Sequence, residues 1–136
     1  MAEQEIVAFD LEGTLTAGVA WEGMRDYLKA HGRHVIIVSG MFEPILQLFA
    51  AKLQVASIGT PIELVDGRLT GEIIGQLNVG PLKVDRLQQM GRLVAAYGDT
   101  VRDIPMLELA ETAVAVHPDP KLRQAAEQHG WRIITN

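Results

Sequence analysis

The sequence predicts a three-layer α/β domain around a mainly parallel sheet, and three observations carry that prediction. Short apolar runs rich in β-branched residues alternate with stretches of helical periodicity. The connections between them are brief, and no repeat, linker or low-complexity tract interrupts the alternation. With 136 residues, 48% of them hydrophobic, the chain can build one sizeable core but hardly two, so residues 1–136 are expected to form a single domain.

The elements follow in order. Ile6 to Phe9 is a continuous apolar segment, as a strand buried on both faces requires. In WEGMRDYLKAHG, Trp21, Met24, Leu28 and His31 recur at helical spacing, and Gly32 stands where a C-terminal cap belongs. HVIIVS, His34 to Ser39, is a second buried strand. MFEPILQLFAAKL places Ile45, Leu48, Phe49 and Leu53 on one helical face, with Pro44 tolerable in the first turn. QVASIG reads as a third strand. IELVDGRLTGEI is two short runs joined by Asp66-Gly67, a dipeptide suited to a tight hairpin turn, which predicts a β-hairpin at one edge of the sheet. GPLKVDRLQQMGRL then opens a helix at Gly80-Pro81, VAAYGD is a strand, DIPMLELA a helix, TAVAV a strand, PKLRQAAEQHG a helix ended by Gly130, and WRIIT a last strand. HPDPKL is explained as a helix start, with Asp119 as N-cap and Pro120 at the first helical position.

Composition narrows the function. A formal charge of -5 and dispersed Arg and Lys residues argue against a grip on nucleic acid phosphates. The absence of cysteine excludes a disulfide framework and a thiolate metal site. The N-terminus MAEQE is acidic and no apolar run approaches the roughly 18 residues of a membrane span, so neither signal peptide nor membrane segment is expected and a soluble cytoplasmic protein is the default. The four histidines are scattered and suggest structural or surface roles, and Met24, Met90 and Met106 suit core filling.

In a sheet of this kind the binding crevice lies outside the carboxyl ends of the strands. Asp10 follows the first strand, Ser39 and Gly40 follow the second, and Asp99 closes AAYGD with Asp103 four residues on. Carboxylates gathered at one edge repel each other and need a cation. A hard divalent ion with oxygen ligands, usually Mg²⁺, supplies it, together with water and a substrate phosphate. Lys83 could add a second positive charge. The Ser39 hydroxyl and the amides of Gly40, Gly13 and Thr14 could donate to phosphoryl oxygens. These are the parts that phosphoryl transfer requires.

FDLEGTLT, VSGMFEP, the lysine of VGPLK and YGDTVRDIPML resemble, in order, the four motifs of the haloacid dehalogenase (HAD) superfamily of phosphatases. The tail AVAVHPDPKLRQAAEQHGW is similar to the phosphoserine phosphatase branch. The resemblance covers nearly the whole chain, and its specificity lies in four motifs occurring in the right order and contexts. It implies a Rossmann-like HAD core. It also implies Asp10 as nucleophile, passing through an aspartyl-phosphate. Glu12 would protonate the leaving alcohol, later activate water, and ligate Mg²⁺ through its backbone carbonyl. Ser39 and Gly40 would hold the phosphoryl group, Lys83 would neutralise it, Asp99 would ligate the metal directly, and Asp103 would orient a metal-bound water or Lys83.

Two departures from the family pattern stand out. Glu12 occupies a position where most of the family has aspartate, which moves the carboxyl outward by one methylene. Only Leu15 to Val38 separates the first two motifs, room for one helix and no helical cap domain. An open site gives few contacts to the leaving group. A neighbouring subunit of a homo-oligomer could supply walls, or a large phosphorylated macromolecule could bring its own lid. A receiver-type signalling domain is disfavoured because QVASIG ends without an acid where the phosphoacceptor would stand. A non-catalytic binding or scaffold domain and a phosphotransferase to a small alcohol remain as alternatives.

Overall fold

The computed structural model describes residues 4–10, 26, 28–75 and 81–135, the side chains of 81–83 excepted. Among the described residues the strands are β1 (Glu5–Phe9), β2 (His34–Phe42), β3 (Ala56–Thr60), β4 (Ile62–Val65), β5 (Arg68–Ile73), β6 (Arg92–Gly98), β7 (Thr112–Val116) and β8 (Arg132–Ile134). The helices are α1 (Glu43–Leu53), α2 (Pro81–Gln88), α3 (Ile104–Leu109) and α4 (Pro120–His129), with a 3-10 turn at Val101–Asp103 ahead of α3. Residues 28–30 are helical and end in a turn in which the Gly32 amide donates to Lys29 and that of Arg33 to Leu28. Trp21 and Met24 lie outside the described residues.

Six strands form one sheet in the order β3-β2-β1-β6-β7-β8, and each neighbouring pair is parallel. The chain runs outward from β1 to β3 and then returns to the other side of β1 as β6. Strand order therefore reverses beside β1, and in open α/β sheets ligands bind at such a point, outside the carboxyl ends of the strands.

Two-sided burial explains the continuous apolar runs. Ile6, Ala8, Ile36, Val38 and Ala96 pack against Leu87 of α2, Met106 and Leu107 of α3, and Leu122 and Ala126 of α4. On the opposite face Val7, Phe9 and Val35 meet Leu28, Leu53, Val55 and Tyr97, and Ile37 meets Leu46 of α1. Every residue from Ile6 to Phe9 is at most 2% exposed, so β1 is anchored from both layers.

The hairpin β4–β5 forms a separate two-stranded sheet after the edge strand β3. Asp66 and Gly67 both take positive φ, 51° and 76°, the conformation that a two-residue turn matching the twist of its strands demands.

Two expectations are corrected. Strand β2 runs to Phe42 and does not stop at Ser39. Helix α1 buries Leu46 and Ala50, whereas Ile45, Leu48 and Phe49 of the expected face are 42%, 71% and 45% exposed. Apolar residues line several sides of this helix, so periodicity alone did not select a face; contact of Leu46 with Ile37 did.

Candidate active site

Asp10 leaves the centre of the sheet with its backbone fixed. Its amide donates to the Tyr97 carbonyl at 3.0 Å, and the preceding Phe9 stacks on the Tyr97 ring with centroids 4.4 Å apart. Burial pushes the Tyr97 hydroxyl above its ordinary 10.0, partly opposed by the charge of Arg132. Phe9 is in register with Ile37 on one side and Tyr97 on the other. Ser39 and Asp99, each two residues further along, therefore emerge on either side of Asp10 from strands spaced about 5 Å apart.

On the β6 side, the Asp103 carboxylate folds back over the strand end. Its Oδ2 accepts from the amides of Asp99 at 3.0 Å and Thr100 at 3.2 Å, and the residue is only 1% exposed. This approach needs glycine at 98, because a Cβ there would lie 2.6 Å from the Asp103 Cβ and 2.7 Å from its Oδ2. Asp10, Asp99 and Asp103 each offer a carboxylate oxygen, and these oxygens lie within 4.8 Å of one another.

On the β2 side, Val38 pairs with Ile58 and Phe42 with Thr60, so Ser39 to Met41 bulge out of the ladder with β3. Bulges of this kind redirect the chain beside functional sites. The Ser39 Oγ accepts from the Met41 amide at 3.0 Å, and the buried Thr60 hydroxyl donates to the Gly40 carbonyl at 2.9 Å. Ser39 is 5% exposed.

Lys83 lies in the first turn of α2. Arg86, one turn later, donates from Nη1 to the Gly59 carbonyl at 2.6 Å and sits 3.6 Å from Glu43, tying α2 to β3 and to the start of α1. Glu12, Gly13 and Thr14 lie outside the described residues, as does the side chain of Lys83. The structure thus brings together Asp10, Asp99 and Asp103 and sets Ser39 and Gly40 on the adjoining strand.

Carboxylates this close repel one another when ionised, by on the order of 3 kcal/mol per pair at an effective dielectric near 20. A cation among them removes that cost. The donor set is all oxygen, which fits a hard divalent ion such as Mg²⁺.

Two contributors escaped the sequence reading. Thr60 closes an apolar strand with a hydroxyl, a signal available in QVASIGT. The sequence pattern accounts for Asp119 as a helix cap alone; its Oδ1 does accept from the Leu122 amide at 2.7 Å, but its Oδ2 also accepts from the Val101 amide at 3.0 Å.

The haloacid dehalogenase-like hydrolase family matches residues 15–108, more than half of the chain. The chain belongs to that family. Phosphoserine phosphatase SerB1 of Mycobacterium tuberculosis is 29% identical to this HAD-like chain over 144 aligned positions, covering 98% of it and 47% of the relative. Histidinol-phosphatase of Neisseria meningitidis is 32% identical, covering 76% of the chain and 52% of the relative. The HAD-like chain therefore spans about half the length of these relatives. A crystal structure of a Bordetella pertussis protein of unknown function superposes with a TM-score of 0.79 at 21% identity, covering 97% of this chain and 98% of that one. That likeness establishes a shared fold. Among the described residues, no helix is long and apolar enough to cross a membrane.

Proposed function

We propose that this HAD-like chain carries the core of a Mg²⁺-dependent phosphomonoester hydrolase working through an aspartyl-phosphate on Asp10. The observation that carries the reading is the convergence of Asp10, Asp99 and Asp103 at the point where strand order reverses, beside the bulged Ser39-Gly40 segment. The names of two relatives, a phosphoserine phosphatase and a histidinol-phosphatase, support a small phosphomonoester as substrate and favour no single one.

Asp10, Asp99 and Asp103, with the Glu12 backbone carbonyl, would hold the ion. When bound, Mg²⁺ supplies positive charge against the phosphoryl oxygens and relieves the repulsion among the carboxylates. The Asp10 carboxylate attacks phosphorus, and the bond from phosphorus to the leaving alcohol breaks as Glu12 donates a proton to that oxygen. Glu12 then takes a proton from water, which attacks the same phosphorus and releases inorganic phosphate, restoring Asp10. Ser39 and the amides of Gly40, Gly13 and Thr14 donate to the phosphoryl oxygens, and the Lys83 ammonium offsets their charge. Because β1 is buried on both faces, the nucleophile needs little reorganisation before attack.

The test is hydrolysis of p-nitrophenyl phosphate with Mg²⁺ by the wild type and by Asp10→Asn. The variant is expected to lose activity by on the order of 10³-fold or more, as when a covalent nucleophile is removed. Equal rates in the two proteins would refute the assignment.

A further inference from the structure

We propose that Asp119 is a positioning residue for the carboxylate cluster, clamping the turn that carries Asp99 and Asp103. The inference rests on the reading of that cluster as a Mg²⁺ site.

Asp119 lies between β7 and α4, outside the stretches that resemble the four family motifs. As N-cap of α4 it needs a single side-chain oxygen, and Oδ1 fills that role on the Leu122 amide. Two further contacts exceed what a cap requires. Oδ2 accepts from the Val101 amide at 3.0 Å, and the Asp119 amide donates to the Asp99 carbonyl at 3.0 Å. Both reach the segment that begins with Asp99 and ends with Asp103. From inside, that segment is closed by the Asp103 carboxylate on the Asp99 and Thr100 amides. Asp119 closes it from outside, so the turn is held on two sides.

The approach of Asp119 is itself constrained. His117 takes a positive φ of 43°, costly for a residue with a Cβ, and its amide donates to the Ile134 carbonyl at 2.7 Å. The loop is thus fixed to β8 in the conformation from which Asp119 reaches both α4 and the Asp99 turn. Residues that orient metal ligands typically change metal affinity by about 10- to 100-fold when replaced. A helix cap alone changes stability and leaves the ligands where they were.

Asp119→Ser separates the two roles. Serine is as good an N-cap as aspartate but has one oxygen and cannot serve Leu122 and Val101 together. Asp119→Asn is the second variant, since its amide NH₂ cannot accept from Val101. Mg²⁺ binding is measured by calorimetry, and melting is measured in metal-free buffer containing chelator. Both variants should bind Mg²⁺ about 10-fold or more weakly than wild type while melting within a few degrees of it. Wild-type Mg²⁺ affinity in both variants would overturn the positioning role and leave the metal reading standing. A folded wild type that binds no Mg²⁺, indistinguishable from Asp99→Asn, would overturn the metal reading and this proposal with it.

Discussion

Replacing Gly98 by alanine puts a methyl group 2.6 Å from the Asp103 Cβ and 2.7 Å from its Cγ and Oδ2. Ordinary contact requires about 1 Å more, and the neighbour is a buried side chain pinned by two amides. Overpacking of this kind costs about 1–3 kcal/mol, and displacing Asp103 weakens its hold on the Asp99 and Thr100 amides as well. A total near 3 kcal/mol is therefore expected. With an unfolding entropy of about 2.1 cal/mol/K per residue, that lowers Tm by roughly 10 °C. Mg²⁺ affinity should fall in parallel, since the displaced carboxylate is one of the three. Gly130→Ala is the control: its φ of 72° makes alanine unfavourable, but nothing lies within 4 Å of an added Cβ. It should cost about 1 kcal/mol and leave Mg²⁺ binding unchanged. Calorimetric melting and Mg²⁺ titration of both variants decide the matter. Gly98→Ala with wild-type Tm and wild-type affinity would refute the account of Asp103.

Further outcomes follow from individual contacts. Leu46→Ala should lose about 2–5 kcal/mol in chemical denaturation, whereas Leu48→Ala, at a 71% exposed position, should stay within about 0.5 kcal/mol; the reverse order would restore the helix face expected from periodicity. The raised Tyr97 hydroxyl keeps its proton in the folded state above pH 10.0 while the unfolded chain loses it, so stability falls as pH rises through that range. Tyr97→Phe should flatten this alkaline loss, and unchanged steepness in denaturation curves above pH 10.0 would exclude Tyr97 as its source. Arg86→Ala removes the bond to the Gly59 carbonyl that ties down the helix bearing Lys83. It should cost about 1 kcal/mol in stability and raise KM for a phosphomonoester, and a steady-state titration with unchanged KM would contradict that link.

Much of this architecture was legible in the chain because the deciding interactions are local. Four consecutive apolar residues at Ile6 to Phe9 have no exposed face to give a strand, which forces a central position between two helical layers. Asp66-Gly67 announced its turn through backbone conformation alone, and Asp119 announced its helix start. Polar residues closing apolar runs placed Asp10 and Asp99 at one edge, because polar groups cluster where buried strands surface. What escaped depends on contacts distant in sequence. The face of α1 is chosen by Ile37 across the layer, not by the helix's own pattern. The bulge at Ser39 to Met41 exists only against the register of β3, so Thr60 could not be linked to Gly40 from spacing. The second oxygen of Asp119 finds Val101, 18 positions away, once β6 and β7 lie side by side.

The most direct measurement is to quench the protein in acid during turnover of a ³²P-labelled phosphomonoester with Mg²⁺ and to locate the label by peptide mapping. The account predicts label on the peptide containing Asp10 in the wild type and none in Asp10→Asn. Label on another residue, or phosphate release by Asp10→Asn at the wild-type rate, would contradict it.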